Sequence, residues 1–232
     1  MEHHENVKEL NQVLDFSIAL FEELYQESKQ APYITMMGLF AAMVEQCQAL
    51  GTLLEQHQFA ATQSITRNVL EIYVDIINVK KEGNYVNYLW AEYYNREKEL
   101  VKAKTKQKQY RKLRNDRFSL YRPSQDFYCL TISEKFTQAD LKDVYSSVYC
   151  ILSAHTHSGV FSLLNRITED GKSNKLSNQC LFKKSPSEIE FLSIPLITHY
   201  LLDACEIVAK GHGDEPLAIV QEIRSHLTEK PS

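Results

Sequence analysis

The stretch FAATQSITRNVLEIYVDIINVKKEGN, Phe59 to Asn84, decides the fold. On a wheel of about 100° per residue, Ser64, Arg67, Asn68, Glu71, Asp75 and Asn78 fall within a stripe about 100° wide. Ile65, Val69, Leu70, Ile72, Tyr73, Val74, Ile76, Ile77 and Val79 cover the remainder. A helix apolar over roughly two-thirds of its circumference has to be surrounded by other elements. Its polar stripe is either the one edge that meets solvent or a seam that looks into a cleft.

The flanking sequence supplies the partners. Val7, Leu10, Val13, Leu14, Ile18, Phe21, Leu24 and Tyr25 recur at helical spacing, and Ala31-Pro32 reads as the end of that first helix. Residues 33–57 form a second helix through Leu39, Phe40, Met43, Leu50 and Leu54. After Gly83-Asn84, a long fourth helix begins aromatic and turns strongly charged. Residues near 117–136 lack a helical period and read as a non-helical excursion. Thr137-Gln-Ala-Asp140 has the form of a capping box and is expected to open a helix running to about His155. Ser185-Pro-Ser-Glu188 starts a later helix, which Pro195 should kink and Gly211 should cap. Pro216 to Leu227 forms a short last helix. The expected fold is all-α: a single bundle-like domain over 1–232 with about seven helices, a core of about 5–212 and a C-terminal helix at 216–228. Only 7 Gly and 6 Pro in 232 residues agree with helices and not with a loop-rich β architecture.

Five cysteines, odd in number, scattered and never spaced C-x2-C, indicate neither a disulfide framework nor a zinc knuckle. A reducing cytoplasm is the expected compartment. The start MEHHENVKEL is polar, and no run approaches ~18 uninterrupted apolar residues, so neither secretion nor membrane spanning is expected. No Gly-rich phosphate loop, G-x-S-x-G elbow or H-E-x-x-H motif is present, and no cofactor is indicated.

Charge is distributed unevenly. Between Arg96 and Arg122 lie eleven Lys and Arg against Glu97, Glu99 and Asp116, a surplus of eight. The formal net charge is −4, so the rest of the chain carries −12. Such a run is commonly a solvated helix face. This one is lopsided enough to bind RNA or an acidic protein, with Lys102, Lys104, Lys106, Lys108, Arg111, Lys112 and Arg114 as the phosphate-facing candidates. Tyr110, Phe118 and Tyr121 interleave it and permit base stacking. The same segment could also dock a second copy of the chain.

In YSSVYCILSAHTHSG, Tyr145 to Gly159, a regular wheel puts Leu141, Val144, Val148, Ile151 and Leu152 on one buried face with His155 in its middle. His157 points nearly the other way, beside Ser146, Cys150 and Ser153. Two helical residues two apart lie about 200° from each other, so this H-x-H is not a metal clamp while it remains helical. His155 is then an inward histidine in need of a carboxylate, and Glu71 is the candidate. Arg67 and Glu71 also form an i,i+4 pair, in the less favourable order.

The R-x3-E helix SITRNVLEIYVDIINV, the tyrosine-rich YLWAEYY and the late helix with Tyr, Ser and His together resemble an uncharacterised bacterial all-helical family known only as a domain of unknown function. The likeness runs from about Gln56 to Leu164. It implies a shared polar centre of Arg67, Glu71, Ser153, His155 and His157. More distantly, the bundle is similar to the HEPN group of small helical ribonucleases and nucleotide-binding proteins. HEPN enzymes set an Arg and a His a few residues apart on one helix, whereas Arg67 and His155 stand on different helices here. Two functions follow. In a metal-independent RNA phosphodiesterase, His155 acts as acid or base, Arg67 stabilises phosphorane charge and Glu71 orients them. In a non-catalytic interaction module, Arg67, Glu71 and His155 form a buried network that specifies packing.

Overall fold

The structure, a computed structural model, describes residues 2–25, 31–103, 127–156, 188–211 and 214–228, and among them it is helical with no strand. The elements are α1 (Glu2–Leu24), α2 (Ala31–Glu55), α3 (Phe59–Lys81), a 3-10 turn (Gly83–Tyr85), α4 (Val86–Ala103), α5 (Ile132–Gln138), α6 (Lys142–Val144), a π-helical turn (Tyr145–Tyr149), α7 (Cys150–Thr156), α8 (Glu188–Ala209) and α9 (Asp214–Thr228).

As its apolar circumference requires, α3 is enclosed. On one side α2 lies antiparallel to it, joined through a tight reversal at His57, which adopts a left-handed conformation (φ 56°). There Gln58 N–H bonds Leu53 O at 2.8 Å and His57 N–H bonds Leu54 O at 3.1 Å, the bonding of a Schellman motif. On another side α8 runs parallel to it, with Tyr73 stacked on Tyr200 at 4.4 Å and bonded to Asp203. Beside α2, α1 is antiparallel, and Asn11 Nδ2 reaches Glu55 at 2.8 Å. Gly51 faces that contact, and a Cβ on it would stand 3.0 Å from Asn11 Oδ1. Phe40, Met43, Cys47, Leu50, Val69, Ile76, Ile197, Leu201 and Cys205 are completely buried or nearly so in one hydrophobic cluster. By length and composition α2 is apolar enough to cross a membrane, and here that apolar face lies against α1, α3 and α8.

Cys47, Cys129, Cys150 and Cys205 are free. Burial, reinforced by Cys205, pushes the Cys47 thiol well up, and burial pushes Cys205 up to about 12 against the bond it shares with Ser17. Both are packing residues, not nucleophiles.

Several expectations change. Ala31-Pro32 does not end α1; it begins α2, with Pro32 in the first turn, where a missing N–H costs nothing. Thr137–Asp140 opens no helix. The capping box is Thr131–Glu134: Thr131 Oγ1 accepts from Glu134 N–H at 3.3 Å, and Thr131 N–H donates to Glu134 Oε2 at 2.7 Å. Asp140 instead takes the left-handed position (φ 61°) that ends α5, with Leu141 N–H bonded to Phe136 O at 2.9 Å. The non-helical excursion is therefore shorter than expected at its C-terminal end, since 127–131 are irregular and Ile132 onward is helical; 117–126 lie outside the described residues. Pro195 lies inside α8, where the sequence reading placed it. The Ser185 start signal also lies outside the described residues.

Replacing Thr131 with Ala should cost about 1 kcal/mol in denaturant unfolding, the usual worth of an N-cap. Thr131→Ser should restore most of it. Equal stability of all three proteins would show that the capping box does not hold α5.

Candidate functional site

The polar stripe of α3 divides into two halves with different surroundings. Toward the N-terminus, Ser64 and Asn68 are exposed and Arg67 and Glu71 half-buried; toward the C-terminus, Asp75 and Asn78 are buried. What covers the second half is α5, and what meets the first is the π-helical turn.

Serine chemistry accompanies that turn. Ser146 Oγ and Ser147 Oγ both donate to the Asp143 carbonyl, at 3.1 and 2.6 Å, taking up an acceptor that the α-helical ladder would use. The Cys150 N–H reaches back to Tyr145 O, five residues away. Five-residue closure inserts extra arc, so the face read on a regular wheel rotates. Ile151, expected inside, is 46% exposed, while Tyr149 is buried at 5% and Leu152 stays buried. The rings of Tyr145 and Tyr149 stack at 5.5 Å, and both lean on the fully buried Phe136.

So placed, the Tyr149 hydroxyl donates to Glu71 Oε1 at 2.7 Å and accepts from Arg67 Nε at 3.1 Å. Arg67 Nε also bonds Glu71 Oε1 at 3.0 Å, and its guanidinium carbon lies 5.4 Å from the centre of the Tyr149 ring. Burial and then the Glu71 carboxylate hold the Tyr149 phenol above its ordinary value. For Arg67, burial acts against the charge, but Tyr149 and Glu71 outweigh it and the pKa is raised. The phenol is thus a fixed hydrogen-bond donor at neutral pH, and the guanidinium a fixed cation.

One and two turns further along α3, Asp75 and Asn78 meet α5. Tyr85 donates to Asp75 Oδ1 at 2.6 Å, and Lys135 Nζ stands 3.3 Å from both Asp75 oxygens. Lys135 also donates to Glu92 of α4 at 2.8 Å, and Asn78 Nδ2 donates to the Lys135 carbonyl at 2.9 Å. Burial raises the Asp75 pKa, opposed by the charge of Lys135. Burial also works against the Lys135 ammonium, yet the Asp75 charge and the bond to Glu92 more than compensate and raise it. Glu92 is held low: burial opposes its charge, and Lys135 and Arg96 overcome that. Asp203 and Glu206 of α8 both hold Arg224 of α9, a network with no periodic signature in the sequence.

The structure therefore joins Arg67 to Glu71 as expected and brings Tyr149 to the pair. Tyr149 was legible only as half of a Tyr-x3-Tyr pair around two serines. Ser153 is half-buried, one turn beyond Tyr149. His155 belongs to α7 by its backbone, and its side chain lies outside what is described; His157 lies outside the described residues altogether. Lys102 is on α4 by its backbone, while Lys104, Lys106, Lys108, Arg111, Lys112 and Arg114 lie outside the described residues. No group of three His, Cys, Asp or Glu able to hold a metal occurs among the described residues.

Residues 33–174 match a family of unknown function, DUF5677. The chain belongs to that family. No curated protein and no solved structure matches. The DUF5677 span holds Arg67, Glu71 and Tyr149 and the whole Asp75–Lys135–Glu92 group, and excludes α1, α8 and α9. Both polar groups of α3 thus lie in the part of the chain that defines the family, whereas the Arg224 network does not.

Truncating Lys135 to Ala should cost about 3–5 kcal/mol, because Asp75 is left buried and unpaired. Asp75→Asn combined with Lys135→Met should recover most of that in urea unfolding. A loss under about 1 kcal/mol in the single variant would contradict a buried pair. Glu92 supplies a pH signature. Its folded pKa lies below its ordinary 4.5, so the stability it carries is complete above that value and is lost as pH falls through the lower folded one. Glu92→Gln should therefore weaken the protein at pH 7 and flatten its acid limb in thermal melts taken across that range.

Proposed function

We propose that this protein is a non-catalytic RNA-binding module in which the basic segment 96–122 holds the phosphate backbone and the α3 polar groups keep the scaffold rigid. One observation carries the reading: a surplus of eight positive charges in 27 residues of a chain whose remainder carries −12. A whole-protein attraction to polyanions is absent at that balance, so binding would be local to the segment and steeply dependent on salt. The geometry of α3 supports a structural role for its polar residues. Glu71 and Tyr149 bond each other and Arg67, an arrangement that suits a network holding the π-helical turn on α3. The buried Asp75 and Lys135 bind α5 and α4 to α3, and so anchor the helix from which the basic segment departs.

A second reading is phosphodiester cleavage of the HEPN-like kind, with His155 as acid or base and Arg67 on the phosphate. It is favoured by the course of the chain. Lys135 faces Asn78 and Tyr149 faces Arg67, so the segment from α5 to α7 runs antiparallel to α3 and carries His155 toward the half of α3 that bears Arg67.

Fluorescence anisotropy with a labelled single-stranded RNA should give saturable binding whose logarithm falls with log salt by about 0.7 per phosphate neutralised. Changing Lys102, Lys104, Lys106 and Lys108 together to Ala should abolish it at physiological salt. Retained binding in that variant, or none in the parent protein at low salt, would refute the proposal. Cleavage of the RNA by the parent and not by His155→Ala would favour the second reading.

A further inference from the structure

The large apolar side chains that face outward include Trp90 and Tyr93 of α4 and Ile151 of α7, the last 46% exposed. For Ile151 the sequence itself offers a second position. Residues 141–152 carry two overlapping apolar faces, one for each way of winding the turn in their middle. Wound as a regular helix, they turn Leu141, Val144, Val148, Ile151 and Leu152 to one side and Tyr149 away from it. Wound through the observed five-residue closure, they bring Tyr149 inward beside Tyr145, both rings resting on Phe136, and leave Ile151 in solvent. The two windings differ by one residue of arc, about 100°. Leu152 faces inward in either.

Opposed forces act on that choice. Polar bonds hold the observed winding: Ser146 and Ser147 occupy the Asp143 carbonyl, and the Tyr149 hydroxyl donates to Glu71 and accepts from Arg67. Apolar burial favours the regular one, which takes Ile151 out of water. A segment with two discrete packings and opposed driving forces is the kind of element that switches, and π-helical turns occur frequently at functional sites. What this one covers is an ion pair. The Tyr149 ring lies 5.4 Å from the guanidinium carbon of Arg67, and its hydroxyl is bonded at the Nε that also meets Glu71.

We infer that residues 145–151 form a two-position lid over the Arg67–Glu71 pair, closed in the π-helical winding and open in the regular one. Opening replaces Tyr149 by Ile151 on the inward side and uncovers an N–H donor and a carboxylate acceptor side by side. A ligand group that takes the place of the phenol has to accept from Arg67 and donate to Glu71, which a hydroxyl does and an ionised carboxylate does not. The lid goes beyond the RNA-binding reading and stands independently of it.

The test reads the accessibility of position 151 in the full chain. Ile151→Cys, made together with Cys150→Ser, keeps a small apolar side chain there and gives it a reactive thiol. Iodoacetamide labelling followed by peptide mass spectrometry then has two internal references, the exposed Cys129 and the buried Cys47. With the lid closed, the thiol at 151 should react at a rate close to that of Cys129. Tyr149→Phe, which removes both hydroxyl bonds, should slow that reaction on the order of tenfold by moving the population toward the open winding. Ser146→Ala with Ser147→Ala should act in the same direction, and Cys47 should stay unreactive throughout. Slowing in either variant with Cys47 protected supports the lid. Labelling unchanged or faster in both would leave the segment a single winding and overturn it. Slower labelling accompanied by reaction of Cys47 would overturn it as well, because the bonds would then be holding the fold and not a position of the turn.

Discussion

A buried carboxylate on α3 organises the elements that pack on the C-terminal half of that helix. Asp75 has lost nearly all its water, and an isolated charge there would be prohibitively costly. Its neutralisation by Lys135 and its bond from Tyr85 draw together α5, the 3-10 turn and, through Glu92, α4. Because one ammonium serves two carboxylates on different helices, α4 and α5 are placed relative to each other as well as to α3. The capping box at Thr131 and the left-handed Asp140 then bound α5 tightly enough to hold Lys135 in position.

From that anchor the chain returns along α3 toward its N-terminal half. The π-helical turn determines which residue meets the polar stripe there. Its extra arc swings Tyr149 inward and Ile151 outward, and the inward phenol bonds both Glu71 and Arg67. Rigidity follows on both halves of α3, and the aromatic start of α4 is held at a defined orientation beside it. On the reading proposed above, the stripe serves as a structural seam.

Reading the polar stripe from the sequence recovered the Arg67–Glu71 pair and the enclosure of α3, since both depend only on a regular period and on hydrophobic coverage. It missed Lys135, because the residue lies sixty positions away and a lone lysine in a short segment carries no pattern. It placed Leu141, Val144, Val148 and Leu152 on the core side correctly but put Ile151 inward and left Tyr149 out of that face. A wheel of constant angle has no means to register a π-helical closure, which the serine hydroxyls on the Asp143 carbonyl accompany. The capping box was assigned to the later of two T-x-x-acid strings. Both satisfy the composition rule, and only the backbone distinguishes the Thr131 string, which starts a helix, from the Thr137 string, which ends one.

The sequence by itself determined the all-α class, the central buried helix, the DUF5677-like motifs and the segregation of charge into 96–122. These are properties of composition and local period, and they survive without knowledge of neighbours. Tertiary structure alone decided that the stripe of α3 is half solvated and half sealed, that Glu71 is met by Tyr149, and that Trp90 and Tyr93 face outward. Those outcomes depend on which distant segment covers which face. Burying Asp75 demands a cation, and the position of that cation places α4 and α5 against α3.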